Sequence, residues 1–408
     1  MKTAVQFGRR TREFEIIESP IPHILVDSKK ELHGWWEGIE PYGNRECTAE
    51  RLLINPYNGC THNCFFCYAH ALGGYFKTFR EENGIVAVFR DFDRIISNQL
   101  DKLSVASCGY LSPVTDPFQP INKGYELSEK IIKEFVTRNI PIQFTTKGRI
   151  PDDVIRLIKG QEHSFGQVSI LTTDEEKRKK LMDGGASTDE LFRNIERLAD
   201  EDVFAVCRVD PVIPYVTDER RELEELVNRA VDSGAKHIIA SCMDIPASLK
   251  GEIYAKLEEC FDISKSKLNR LYTERIRGDF NADLGYRRRL FRTMKEICDR
   301  AGVTMALCME FESLGGKNVK GLNREFMSSN NCEGIDVPIY VRRGDRFEPV
   351  EGCDGNCLGC YRSEKRSVCG LPLNEARAWK LRDYRGWSKE INQKARDKAQ
   401  RTFREGWF

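Results

Sequence analysis

The chain has 408 residues, 31% of them charged, and a formal net charge of +1. That length suits one large domain with smaller appendages, and the charge balance excludes a nucleic-acid coat held by global basic excess. No apolar run approaches the ~18 residues needed to cross a bilayer, and the first residues lack a signal-peptide core, so a cytoplasmic protein without membrane partners is expected.

Residues 1–50 contain Pro20, Pro22, Gly34, Trp35 and Trp36 without sustained periodicity and read as an extension that wraps another surface. From residue 51, short apolar runs alternate with amphipathic stretches. Strands are predicted at 51–55, 106–112, 141–146, 167–172, 203–209 and 236–241, with helices at 125–138, 152–159, 188–200 and 222–233. Six strands separated by helices of this length imply parallel β/α repeats, whose chemistry sits on the loops at the carboxyl ends of the strands. Beyond them, 264–277 and 286–300 read as helices and 303–308 as a further strand.

Fifteen cysteines are many for a reducing compartment, where disulfides do not persist, so metal clusters are their natural use. Cys207, Cys242, Cys260 and Cys298 lie in apolar or helical stretches and read as small core hydrophobes. The informative set is Asn55-Pro-Tyr-Asn-Gly-Cys60-Thr-His-Asn-Cys64-Phe-Phe-Cys67-Tyr, three thiols on one tight loop directly after the first predicted strand. A cubane iron–sulfur cluster takes four ligands, so three thiolates leave one iron open to an external ligand. A structural zinc knuckle is the alternative, but it prefers two separated cysteine pairs, and His62 reads as a loop residue.

This spacing, with aromatic Phe66 before the third cysteine, resembles the radical S-adenosylmethionine (SAM) superfamily, and within it the spore photoproduct lyase family. The likeness is carried by Asn55–Cys60, Cys67-Tyr-Ala-His70, Thr115-Asp-Pro-Phe-Gln-Pro120, Phe144-Thr-Thr-Lys147, Val168-Ser-Ile-Leu-Thr-Thr173 and Arg208-Val-Asp-Pro-Val-Ile-Pro214, in that order over about residues 51–246. It implies an α/β fold, a partial (β/α)6 barrel open on one side, with a [4Fe-4S] cluster on Cys60, Cys64 and Cys67. It also implies bound SAM, cleaved reductively to a 5′-deoxyadenosyl radical, and a reductant such as flavodoxin or ferredoxin. Phe66 and Tyr68 are expected to cover the cluster and contact adenine. Ser112, Thr115, Asp116, Thr146, Lys147, Ser169 and Arg208, at predicted strand ends, are candidates for holding the methionine moiety. Lys147 suits a carboxylate, and an ion pair with Asp210 competes for Arg208. The lyases quench their product radical with a cysteine just before the segment matching Thr115-Asp116. Here Val114 stands at that place, which leaves Cys108 and Tyr110 as candidate hydrogen-atom donors.

The carboxyl-terminal region repeats the three-and-two spacing in Cys353, Cys357 and Cys360, followed by Cys369 and preceded by Cys308 and Cys332. An auxiliary iron–sulfur cluster is expected there, with fewer than six of these as ligands, and a zinc site is the alternative. Four regions are anticipated: an extension at 1–50, the barrel at 51–305, a cysteine-rich auxiliary domain at 306–370 and a basic aromatic tail at 371–408. The tail holds ten Lys or Arg against five Asp or Glu, interleaved with Trp379, Tyr384, Trp387, Phe403 and Trp407, and 286–292 carries four arginines. Basic and aromatic side chains together suit DNA or RNA, whereas an amphipathic helix docked on the barrel is the plainer account. A base or nucleoside in nucleic acid is therefore the expected substrate. A peptide or small metabolite is the second reading, and a non-catalytic redox sensor the third.

Overall fold

The computed structural model describes residues 1–27, 32–36, 51–82, 84–319, 321–363, 367–371 and 377–384. Seven strands pair in parallel and in chain order: β1 (Leu52–Ile54), β2 (Gly109–Leu111), β3 (Ile142–Thr146), β4 (Phe165–Ser169), β5 (Phe204–Val212), β6 (His237–Cys242) and β7 (Thr304–Leu307). All six expected strands and the further one at 303–308 are therefore present, as a seven-stranded parallel sheet. An antiparallel strand at His33–Trp36 borders β1 and is itself paired by Arg377–Lys380.

The crossovers carry helices α1 (Phe92–Leu100), α2 (Leu127–Thr137), α3 (Asp152–Lys159), α4 (Thr188–Asp200), α5 (Arg220–Asp232) and α6 (Leu284–Arg300). Ser187 starts α4 by accepting a hydrogen bond from Glu190 N–H, and Asp283 starts α6 through Tyr286 N–H. Because strand side chains alternate, one set (Ile142, Phe144, Val168, Cys207, Val209, Ile238, Ala240) joins the main apolar core with the helices. Close packing of that layer needs Gly109, where a Cβ would lie 2.7 Å from the Phe135 ring of α2. The other set (Gln143, Gln167, Arg208, Asp210, Ser241) carries the polar groups and faces the barrel interior. Cys207 and Cys298 are fully buried, as their apolar surroundings imply.

Two stretches differ from expectation. The helix anticipated over 264–277 stops at Leu271, and a hairpin of Glu274–Ile276 and Asp279–Asn281 follows. Its two-residue turn, Arg277-Gly278, has both residues at positive φ (54° and 99°), a conformation that glycine supplies and a helix cannot contain. Within residues 1–50, Lys2–Phe7 and Arg10–Glu15 form a hairpin with Thr3 and Val5 turned inward, and Phe7 meets Tyr75 edge-on at 4.9 Å.

Past β7 the chain returns into the barrel rather than leaving it. Cys332 accepts a hydrogen bond at its carbonyl from His237 Nε2 at 3.1 Å, Glu333 binds Arg51 and Gln143, and Val337 packs with Cys108, Phe165, Val206 and Ile239. Arg51, Phe165 and His237 lie at the amino-terminal ends of their strands, so residues 331–337 plug that end. The chain then forms strand Tyr340–Arg343, antiparallel to Val105–Ala106 just before β2. Of the tail aromatics, Tyr384 is buried and donates to Arg51 O at 3.3 Å. Trp387, Phe403 and Trp407 lie outside the described residues, as does the side chain of Trp379.

Candidate active site

The cysteine loop begins where β1 ends, at the open, carboxyl-terminal end of the sheet. Gly59 takes φ 94°, and a Cβ there would lie 2.6 Å from Phe79, so only glycine fits this approach. Successive turns, Asn63 N–H to Cys60 O (3.2 Å), Cys67 N–H to Cys64 O (3.0 Å) and His70 N–H to Cys67 O (3.1 Å), curl the three thiols around one side. Gln119 pins the loop, accepting from Thr61 N–H and donating to Gly59 O, each at 3.1 Å. Gly184 N–H holds His62 O at 3.1 Å, and His62 Nε2 lies 3.0 Å from Asp116 Oδ2.

Burial pushes the thiols of Cys60 and Cys67 up and that of Cys64 to about 12, with further upward pressure on Cys60 from Cys64 and Cys67. Three desolvated thiols in each other's fields suit a cationic partner, which converts them to thiolates. Among the described residues no three His, Cys, Asp or Glu side chains converge on one ion-sized position. A cubane does not ask for that, since each thiolate binds a different iron. The donor set therefore fits a [4Fe-4S] cluster with one open iron.

The candidate polar residues divide into two groups. Asp116 is committed to the scaffold: it accepts from Phe118 N–H (2.8 Å), Thr146 Oγ1 (2.9 Å) and Lys147 N–H (2.6 Å), and the His62 charge holds its carboxyl low against the opposing effect of burial. Thr146 is spent in that same network, and Thr115 bonds Asn55 Oδ1 and Tyr57 O. Ser169 reaches Asp210 O at 3.4 Å. Among the described residues, two side chains remain uncommitted. Ser112 sits at φ 56° with a buried hydroxyl that has no hydrogen-bond partner among them. The Lys147 ammonium opposes the rise at Cys64 and Cys67 and helps to hold Asp210 low, so its charge is felt both at the cysteine loop and at β5.

Arg208 forms the anticipated ion pair with Asp210, through Nε at 3.1 Å and through Nη2, while Ser241 donates to the other carboxylate oxygen. It also donates to Gln167 Oε1 at 2.8 Å and, through Nη2, to Cys308 Sγ at 3.1 Å. Cys308, expected with the auxiliary cysteines, therefore stands at the carboxyl end of β7 beside Arg208. Tyr68 is 49% exposed, yet Cys67, Cys308, Asp210 and Arg208 all act on it, as befits a ring lining a cleft. Phe66 is buried in the core against Phe65. Cys108 is fully buried beneath the cleft among Phe165, Val206, Ile239 and Val337. Tyr110 is buried too, with its hydroxyl 3.3 Å from Thr145 Oγ1.

The remaining cysteines separate. Cys353 and Cys369 hydrogen-bond to each other, Cys369 also feels Cys357, and Cys360 feels Cys353. Cys332 belongs instead to a cluster with Tyr110 and Ala306 inside the barrel. The arginines of 286–292 are largely spent internally: Arg287 on Glu310 and Glu274, Arg288 on Glu312 and Glu325, and Arg292 on Glu325. They form an ion-pair network with the hairpin before α6 and the segments after β7 rather than a free basic patch.

A parallel β/α barrel with a three-thiol loop at the carboxyl end of its first strand defines a class of radical enzymes. Residues 54–229 match the family model described as the radical SAM superfamily. The chain is 27% identical over 384 residues to the radical SAM Nalpha-GlyT isomerase of Pseudomonas phage M6, covering 90% of this chain and 78% of that protein. It is 23% identical over 228 residues to an uncharacterised protein of Mycobacterium bovis, covering 54% and 67%. Spore photoproduct lyase with bound AdoMet and dinucleoside spore photoproduct superposes with a TM-score of 0.52 at 13% identity, covering 70% of this chain and 81% of the other. Over residues 54–229 the chain matches the radical SAM superfamily, the match of an enzyme that uses a [4Fe-4S] cluster and SAM, and it shares the fold of spore photoproduct lyase. Among the described residues no helix is long and apolar enough to cross a membrane.

Proposed function

We propose that this enzyme abstracts a hydrogen atom from a base- or nucleoside-containing substrate and returns one after rearrangement, a redox-neutral isomerase- or lyase-type reaction. The observation that carries this reading is the likeness over 90% of the chain to a radical SAM Nalpha-GlyT isomerase. It is supported by a fold neighbour solved with AdoMet and a dinucleoside spore photoproduct bound.

Cys60, Cys64 and Cys67 would hold the cluster, which when bound would supply the electron for reductive cleavage of SAM. The chain's task is binding and orientation. Lys147 offers to the SAM carboxylate a positive charge unspent among the described residues, and the Ser112 hydroxyl, buried and unpartnered among them, gains a hydrogen bond when the cosubstrate enters. Tyr68 walls the cleft on the side of Cys308. Asp116, Thr146 and Thr115 hold the loops that carry these groups. Cys308 is the hydrogen donor in this reading, in place of Cys108 and Tyr110, which packing shields from the cleft. Its S–H bond breaks as the substrate carbon gains C–H, and the external one-electron reductant with a solvent proton restores the thiol.

The test is anaerobic turnover in deuterated water, with dithionite and SAM, on DNA, RNA and peptide pools. Deuterium entering a nucleoside of the wild-type reaction but lost in Cys308→Ala supports both assignments. Label that enters only the peptide pool refutes the nucleoside substrate.

A further inference from the structure

Cys353, Cys357, Cys360 and Cys369 are gathered at the opposite end of the barrel. Asn356 caps the short helix Cys357–Arg362 by accepting from Gly359 N–H at 2.7 Å, which puts Cys357 and Cys360, three residues apart, on one helical face. Cys353 and Cys369 close the set through their mutual hydrogen bond. The N–H groups of Ile339 and Gly355 donate to Cys353 sulfur, and that of Leu371 donates to Cys369 sulfur. Backbone donors aimed at cysteine sulfurs are the outer-shell bonds that orient and tune thiolate ligands of a cluster. A single zinc ion would draw four sulfurs onto one tetrahedral position. These four thiols instead stand as the first loop's three do, within each other's electrostatic reach and, among the described residues, without an ion-sized focus.

The same loop grips the plug. Gly355 has φ 81°, and a Cβ on it would lie 2.5 Å from the Val337 backbone. Val350 N–H bonds Ile339 O at 2.7 Å and Cys353 N–H bonds Val350 O at 2.9 Å. From the plug a buried chain of polar contacts runs up the barrel: Glu333 accepts from Arg51 and Gln143, Gln143 accepts from Gln167, and Gln167 accepts from Arg208. At ~3.3 Å per residue, the climb along β5 from Phe204 to Asp210 is on the order of 20 Å, so the two thiol sets do not share a substrate.

We propose that Cys353, Cys357, Cys360 and Cys369, without Cys308 or Cys332, ligate a second iron–sulfur cluster that clamps the plug, and that Glu333 is thereby a positioning residue for Arg208. The cluster acts as a clasp rather than as a substrate anchor. This goes beyond the substrate reading and does not depend on it.

The experiment uses full-length protein, anaerobically reconstituted. Metal analysis of the wild type should give about eight irons per chain, two cubanes. Cys360→Ala should fall to about four, with faster amide exchange in 333–339, whereas Cys332→Ala and Cys308→Ser should keep the wild-type iron count. Gln143→Leu, which cuts the chain of contacts without touching either metal site, should retain its iron and slow substrate-free SAM cleavage by about 2- to 30-fold. It should also alter the electron paramagnetic resonance spectrum of the SAM-bound reduced cluster. One zinc ion at the distal site, iron loss in Cys332→Ala, or unchanged exchange in Cys360→Ala overturns the proposal. A wild type that binds both clusters but cleaves no SAM contradicts the active-site reading and leaves this one standing on iron count and exchange.

Discussion

Lowering the pH from about 7.5 to about 5.5 should cost the protein about 1.3 kcal/mol through His237 alone. This imidazole is fully buried, held by Thr304 Oγ1 at Nδ1 (2.8 Å) and by the Cys332 carbonyl at Nε2 (3.1 Å). Burial lowers its pKa from 6.5 to about 4. The unfolded chain therefore binds a proton between those two values that the folded chain does not. The contribution is fully present above the unfolded pKa and is lost as pH falls below it toward 4. Because His237 holds the plug through Cys332 and lies against Gly334, the loss should appear first as faster amide exchange in residues 332–339. Urea unfolding at both pH values, for the wild type and for His237→Gln, measures the effect, since glutamine keeps polar contacts but does not titrate. Parallel loss of stability in the two proteins would refute the reasoning.

Three further outcomes follow from particular contacts. Lys147→Met should raise the KM for SAM about tenfold or more with little change in iron content, because it removes a charge-assisted contact and no cluster ligand; saturation kinetics of 5′-deoxyadenosine formation reads it. Glu333→Ala should destabilise the fold by about 3–5 kcal/mol, since Arg51, 1% exposed, is left charged without its partner, and a matched denaturation curve measures the loss. Gly109→Ala should cost about 1–3 kcal/mol through the clash with Phe135, visible as a lowered urea midpoint, without altering SAM cleavage per folded molecule.

The barrel was legible because each parallel strand is a short apolar run closed by turn residues, and helix α4 starts where its polar cap, Ser187, says. The cysteine loop was legible whole, since its chemistry lies in eight consecutive residues. What sequence left open depends on register and on distant packing. Ser112 and Asp116 read alike as polar residues after β2. Only the fold reveals that Asp116 is satisfied by three donors while the Ser112 hydroxyl is unpartnered among the described residues. Nearness in sequence drew Cys308 and Cys332 toward the distal cysteines, but the chain turns back through the barrel between them, leaving one beside Arg208 and the other beside Tyr110. The parity of β7, with Leu307 outward and Cys308 inward, was the available signal. The arginines of 286–292 suggested phosphate contacts because their carboxylate partners lie more than ten residues away in sequence.

The central claim is that an open iron on the Cys60–Cys67 loop binds SAM and delivers it an electron. Its most direct test is chromatographic detection of 5′-deoxyadenosine from anaerobically iron-loaded protein given SAM and dithionite, beside the Cys60→Ala/Cys64→Ala/Cys67→Ala variant. Wild-type protein should yield 5′-deoxyadenosine and the variant none, although the variant keeps its distal iron. Equal yields from both, or none from wild-type protein carrying the full iron complement, would contradict the claim.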